Sequence, residues 1–319
     1  MVSRFGPPEV LRLVDLPTPS PGDGQLRVTV TAAGVGWLDA RIRAGGAPPE
    51  FALAPPYVPG SGVAGVVTAV GPTVSEQWLG ARVVTHPAGG LYGGGYADTV
   101  IADREDAVVV PDGLEPRHAL AVLDDGGTAL ALLERTPVHA GEHVVVAPGV
   151  GGLGSLLVQL ARAEGANVVA AVRGGDKMEI ARRLGVDAVD YGAPDWPADL
   201  LARTGGRGPD VAFDGLGGAV GATLLGLLGD GGRFSGYGMS SGAPTVIEDA
   251  DRRRLTVADM TQLPEFWPDA PRRVRRVLGE AAAGRLTPII GRTYPLAEAA
   301  AAHVDIEARR FVGKIMLLP

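Results

Sequence analysis

The 319-residue chain contains no cysteine. That excludes disulfides, a thiolate nucleophile and any cysteine-ligated zinc. Lysine is nearly as scarce, found only at Lys177 and Lys314 among many arginines, a bias of composition more than of function. No uninterrupted apolar run approaches the length of a membrane span, and the first residues lack a signal-peptide pattern. A soluble cytoplasmic protein is the default expectation. A surplus of positive charge is also missing. The formal net charge is −7 and the pI about 5.3, which leaves no footprint for nucleic acid or an anionic membrane surface.

What is present is ample apolar material, 46% of the residues, enough for one large domain or two ordinary ones. Residues 1–110 carry short β-type runs at 26–32, 62–70, 81–85, 96–101 and 107–110, punctuated by Pro and Gly. They predict a mostly β domain, with a short helix at 39–44 and a proline-containing loop at 45–57. The segment GGLYGGG (89–95) around Tyr92 reads either as a plain surface turn or as a lid on the substrate side. From Glu115 the pattern changes. Helical stretches at 116–123 and 128–134 lead into strands at 144–146, 168–172, 188–190, 210–214 and 232–237. These alternate with helices at 177–184 and 221–228, which predicts an α/β, doubly wound parallel sheet. A β-like run at 255–260 and an amphipathic helix at 272–283 follow. The tail returns to β (288–294), helix (296–308) and β (313–318). β-rich ends therefore flank an α/β middle.

The middle is organised around VVVAPGVGGLGSLLVQL (144–160). Three valines read as a buried parallel strand that runs into a glycine turn and then directly into an apolar helix. Gly149, Gly151 and Gly154 satisfy G-x-G-x-x-G, the turn by which a βαβ unit holds a pyrophosphate. The first glycine permits the turn, the second lets the backbone approach the phosphates, and the third lets helix and strand pack closely. Gly152 and Leu153 open the helix, where backbone N–H groups and the helix dipole favour an anion. In a chain with 48 glycines the motif alone is weak. The strand before it, the helix after it and a second strand at 167–172 make it a dinucleotide site.

Taken with its flanks, the chain resembles the medium-chain dehydrogenase/reductase superfamily, in its zinc-independent quinone oxidoreductase branch. The resemblance runs through FGPPEVLRL (5–13), AAGVGWLDARIRAG (32–45), VPGSGVAGVV (58–67), GGYADTVIA (94–102) and the glycine turn. It continues through RRLGVDAVDYG (182–192), GPDVAFDGLGG (208–218), GGRFSGYG (231–238), GRLTPIIGRTYPLAEAAAAH (284–303) and RRFVGKIML (309–317). It implies a GroES-like, mostly β substrate domain built from residues 1–122 and 285–319. A Rossmann nucleotide-binding domain, 123–284, would be inserted between them, with the active site in the cleft. Zinc members place a metal-binding Cys where this chain has Gly36, and His-Glu where it has Ser61-Gly62. No metal ligand set is expected, and no Lewis acid to polarise a carbonyl. The family opens on a β-strand before the segment at Phe5. Only Met1–Arg4 precede it here, so either that strand is absent or the start is misassigned.

An NAD-preferring site places an acid just past the second strand. This strand ends at Val172 and continues Arg173-Gly174-Gly175-Asp176-Lys177. Arg173 offers a planar fork to a 2′-phosphate and Lys177 a second charge, so NADPH is the expected cofactor. The plainer alternative is a pair of solvated surface cations. By resemblance, Tyr191 would lie against the adenine, Tyr237 and Gly238 near the nicotinamide end, and Thr128 beside the phosphates or nicotinamide. Reduction also needs a donor for the developing oxyanion or carbanion. Quinone reductases often carry Asn where this chain has Gly36, and enoyl reductases a Tyr near Ala47. The candidates left are Asp39, Arg41 and Tyr92 as catalytic groups, with Tyr57, His86 and Tyr96 behind them. Each has a plainer alternative, such as a helix cap for Asp39, a solvated cation for Arg41 and a structural role for His86. Asp124 and Asp125 invite an acid/base idea, although a helix-terminal cap explains them as well.

The expected activity is zinc-independent, NADPH-dependent hydride transfer to a small-molecule quinone or α,β-unsaturated carbonyl. Two alternatives stand beside it: an enoyl reductase tailoring a polyketide-like intermediate, and an NADPH-binding sensor or scaffold with little catalysis. The run at 255–260 lies where relatives pair edge strands across a two-fold axis, so a homodimer is expected.

Overall fold

In a computed structural model, which describes residues 1–46, 53–89 and 93–319, the chain divides into two units. Unit 1 is Met1–Asp124 with Val274–Pro319, and unit 2 is Asp125–Arg273. Unit 1 opens with β1 (Gln25–Val35), whose alternate residues are buried, and α1 (Trp37–Arg43). It continues through β2 (Val63–Val70), β3 (Arg82–Thr85), β4 (Thr99–Asp103) and β5 (Val108–Val109). The long helix α2 (Pro116–Arg135) carries the boundary between the units. Unit 2 then holds β6 (His143–Ala147), α3 (Gly152–Ala163), β7 (Asn167–Val172), α4 (Gly175–Arg183), β8 (Asp187–Asp190) and α5 (Trp196–Arg203). After these come β9 (Val211–Asp214), α6 (Gly218–Leu227), β10 (Arg233–Gly236), α7 (Asp249–Arg254) and β11 (Thr256–Ala258). The chain returns to unit 1 along α8 (Ala270–Ala282), followed by β12 (Ile290–Pro295), α9 (Ala299–Glu307) and β13 (Lys314–Leu318).

The strands of unit 1 form a sheet in the order β12-β13-β1-β2-β3-β5, with β4 also pairing β1. Antiparallel ladders join β1 to β2, β4 and β13, while β12 and β13 run parallel. The alternation of β1 drives Leu26, Val28 and Val30 into an apolar core with Val67, Val83 and Val100. In unit 2 the order is β11-β10-β9-β6-β7-β8, every pair parallel. Counted from β6, this is the doubly wound order 3-2-1-4-5-6, which reverses between β6 and β9. Ligands of such sheets bind at the carboxyl ends of the strands flanking that switch point. The fold is thus a GroES-like β unit plus a Rossmann-type parallel sheet.

Several elements differ from the sequence reading. The helices expected at 116–123 and 128–134 are one helix, α2, running through buried Gly126 and Gly127. Glycine costs about 1 kcal/mol per interior helical position. The buried apolar residues on either side, Leu120, Leu123, Leu130 and Leu132, hold the helix together across the pair. Asp124 and Asp125 therefore lie mid-helix and cap nothing. Helix α5 was not expected at all, although Trp196 and Leu200, four residues apart, are both buried. The run at 255–260 pairs only over Thr256–Ala258, because Asp259 turns the chain by accepting from the Thr261 N–H at 3.0 Å. Tyr96 precedes β4 instead of belonging to it. The N-terminus contributes Val2, bridged to Leu11 and Tyr57.

Candidate active site and dinucleotide site

In unit 2 the valines of β6 are fully buried, and the strand delivers the chain to the glycine turn at the switch point. The Gly149 N–H donates to Ala171 O of β7 at 2.8 Å. A Cβ at Gly149 would run into Ala170, and one at Gly154 into the Pro148 carbonyl. These two glycines allow the close approach of strand, turn and helix. Gly151 is different. It caps α3 with φ +145° and ψ −169°, a conformation reserved for glycine, and a Cβ there would meet nothing within 4 Å. The turn is open where a phosphate would lie, at the N-terminus of a twelve-residue helix. Gly152 and half-buried Leu153 begin that helix, and the Asp125 carboxylate closes on Gly152.

The other half of the switch point is β9, ending at Asp214. Its carboxylate accepts from the backbone N–H groups of Leu216 and Gly217, both at 2.9 Å, and from Thr245 Oγ1 at 2.5 Å. Burial raises its pKa against these bonds. Tyr237 lies directly over Gly215, its hydroxyl donating to Ala147 O at 3.5 Å, and burial pushes its phenol pKa up. Gly238 packs on Gly215. A cavity of about 260 Å³ opens beyond them, lined by Asp214, Phe234, Gly238, Thr245 and Met260 among others. At the far side of β7, Arg173 is exposed, with its guanidinium 5.6 Å from the Tyr191 ring centroid. Lys177 lies in the first turn of α4, and Thr128 is half-buried on α2 three residues past Asp125.

In unit 1, Asp39 sits in the first turn of α1 and is 1% exposed. Its Oδ2 accepts from the Gly36 N–H at 2.7 Å and its Oδ1 from the Gly60 N–H at 3.2 Å. Burial lifts its pKa to about 7 despite these bonds. Burial, reinforced by the charge of Asp39, also raises Tyr57, to about 12, and Tyr96. Asp39 thus pins α1 to the Gly60 turn. Arg41 points elsewhere, its guanidinium 5.4 Å from the Trp37 ring centroid. Tyr92 and Ala47 lie outside the described residues.

The side chains that do converge in unit 1 are ones the sequence ranked low. His86, just after β3, places Nε2 2.7 Å from Asp124 Oδ1, and Ser61 Oγ donates to Asp124 Oδ2 at 3.5 Å. Burial would raise the Asp124 pKa, but the charge and hydrogen bond of His86 hold it down to about 2. Burial likewise opposes the charged form of His86, and Asp124 more than compensates, so the imidazole pKa is raised. Lys314, on β13, acts electrostatically on both Asp39 and Asp124 and lowers the pKa of each. Sequence reading also missed a buried support. Arg43, 1% exposed, donates to Gly6 O at 2.5 Å and pairs with Glu307. Tyr96 OH bonds His303 Nε2 at 2.9 Å, where burial and Arg43 lower the imidazole pKa to about 3. Among the described residues, no three His, Asp or Glu side chains gather as a metal site. No helix among them is long and apolar enough to cross a membrane.

Residues 22–112 match the alcohol dehydrogenase GroES-like domain and 152–277 the zinc-binding dehydrogenase domain. A 2-haloacrylate reductase from Burkholderia sp. is 32% identical over 331 residues, covering 100% of this chain and 98% of that protein. A quinone oxidoreductase from Sus scrofa is also 32% identical, over 99% of this chain and 96% of its own length. This chain belongs to the quinone oxidoreductase-like medium-chain dehydrogenase/reductases. The solved structure of mycobacterial Rv1454c complexed with NADPH has a TM-score of 0.87 and 31% identity, covering 100% of this chain and 98% of the other. Within this quinone oxidoreductase-like chain, Ser61 serves as a hydrogen-bond donor to Asp124.

Proposed function

We propose that this chain is an NADPH-dependent oxidoreductase that reduces a quinone or an α,β-unsaturated carbonyl. The observation that carries the reading is the Gly151 turn, open at the amino end of α3 and set at the switch point beside Tyr237. Its shape fits a pyrophosphate, since a side chain is sterically excluded at Gly149 and Gly154 while the space beyond Gly151 is free. The backbone of Gly149, Gly151, Gly152, Leu153 and Gly154 would hold the phosphates. Arg173 and Lys177 would hold the 2′-phosphate, Tyr191 the adenine, and Tyr237, Gly238 and Thr128 the nicotinamide end. When bound, the reduced nicotinamide supplies a hydride.

The residues expected at the metal-ligand positions support this substrate class. With Gly36 and Ser61-Gly62 where a zinc site would be, an unactivated carbonyl has no Lewis acid to polarise it. An acceptor that is already electron-poor does not need one. The NADPH complex of Rv1454c supports the cofactor. The haloacrylate acted on by the Burkholderia relative is an alkene conjugated to a carboxyl group, which supports the acceptor. The test is NADPH oxidation over a panel of quinones, enones and carrier-bound enoyl thioesters, with NADPH binding followed by fluorescence. Turnover on at least one class is expected. Binding without turnover on any would overturn the reading in favour of a sensor.

A further inference from the structure

The glycines of the phosphate turn are not alike in what surrounds them. Gly149 and Gly154 pack against strand and turn, and Gly151 faces open space. At Gly152 the place of a Cβ is taken by a side chain, the carboxylate of Asp125, with its Cγ 3.2 Å from where that Cβ would stand. Both residues belong to unit 2. Gly152 is the first residue of α3, a helix with no acidic residue in its first turn and no side-chain cap. The amino end of a helix carries partial positive charge and favours an anion. Here the Asp125 carboxylate supplies one, brought across from α2, where the residue is half-buried in mid-helix. Its charge also reaches Tyr237, just past β10, whose phenol pKa is raised by burial first and by Asp214 and Asp125 after it.

We propose that Asp125 sets the affinity of the dinucleotide site, as a carboxylate that contends with the cofactor's pyrophosphate for the amino end of α3. The proposal rests on the NADPH reading above. A pyrophosphate held by the backbone of Gly151, Gly152 and Leu153 brings its negative charges against that of Asp125, and like charges repel. Because Asp125 is half-buried, solvent and salt screen this repulsion only in part. Part of the binding free energy contributed by the turn, the 2′-phosphate fork and the adenine contact is therefore offset at Gly152. The oxidised cofactor leaves more readily after hydride transfer, as a reductase that exchanges its nicotinamide each turnover requires. The two central glycines then have separate reasons. Gly151 leaves room for the phosphate, and Gly152 leaves room for Asp125.

The test uses the full chain with Asp125→Asn, which keeps the shape and removes the charge, and Asp125→Ala, which removes both. NADPH affinity is read by fluorescence, and NADP⁺ and 2′-AMP by displacement of NADPH. NADPH and NADP⁺ should bind about tenfold or more tightly in both variants. That gain should shrink as salt is raised, because the repulsion it relieves is then already screened in the wild type. In a stopped-flow chase, NADPH should leave the variants more slowly. The compound 2′-AMP carries the adenine and the 2′-phosphate but no pyrophosphate, so its affinity should not change. An unchanged or weakened NADPH affinity in Asp125→Asn, or an equal gain for 2′-AMP, would overturn the proposal alone. Failure of the wild type and both variants to bind NADPH would overturn the dinucleotide reading on which it rests.

Discussion

At Gly151 the backbone occupies φ +145°, ψ −169°, and the space facing it is empty. Any side chain there carries two penalties. It strains the turn by about 1–3 kcal/mol, and its Cβ projects where a phosphate would lie. Gly151→Val should therefore weaken NADPH binding severely in a protein that still folds, although with a lower melting temperature. Fluorescence titration below that temperature checks it, and an unchanged Kd would remove the dinucleotide assignment. Arg173 makes a different kind of claim. Its guanidinium lies against Tyr191, which fixes a planar donor fork just past β7, and no acid stands between Val172 and Asp176 to hold a ribose hydroxyl. A charge-assisted bond to a 2′-phosphate is worth about tenfold or more in affinity. kcat/KM with NADPH should exceed that with NADH by at least about tenfold. Arg173→Ala should erase most of the gap by weakening NADPH alone. Equal use of both cofactors by the wild type would return Arg173 to the status of a surface cation.

Among the elements, α1 shows how a candidate catalytic group can prove to be a fastener. Asp39 joins the start of α1 to the Gly60 turn through two backbone N–H donors, and its raised pKa gives that fastener a pH signature. Below about pH 3.8 folded and unfolded chains both hold the proton, and its contribution to stability is fully present. As pH rises toward 7 the unfolded chain releases the proton while the native state retains it, so that contribution falls and is gone above about 7. Asp124 acts oppositely and lower: its contribution is present above about 3.8 and lost as pH falls toward 2. Urea midpoints measured from pH 4 to 8 should decline less steeply in Asp39→Asn than in the wild type, and an identical slope would rule out Asp39 as the titrating group. The distinction between α1 and the His86–Asp124 pair also marks what was legible in the sequence. Continuous valine runs announce parallel strands, and the glycine turn announces β6 and α3, because those signals are local and periodic. The continuity of α2 was hidden because Gly126-Gly127 is a breaker by local propensity, overridden by burial of its flanks. Helix α5 was hidden behind Pro197 and its short length. The pairing of His86 with Asp124 depends on how the end of β3 meets α2, and no spacing along the chain records a contact across 38 positions.

For the molecule as a whole, the parallel sheet of unit 2 leaves two edges, and they are unlike. One is β8, which begins at Asp187 and ends at Asp190, so that charge discourages further pairing. The other is β11, Thr256-Val257-Ala258, short and uncharged, bonded to β10 on one side. A second copy can extend the sheet there across a two-fold axis, each β11 lying antiparallel to its twin. Light scattering at micromolar concentration should therefore report twice the 32.7 kDa of the chain. Thr256 is exposed, so Thr256→Lys should leave unit 2 folded and its NADPH affinity intact. It would set like charges near one another across the axis, which destabilises a strand pair. The expected outcome is a shift toward monomer in that variant, reversed in part by high salt as the charges are screened. A wild-type monomer, or a dimer indifferent to Thr256→Lys, would place any self-association on another face of the molecule.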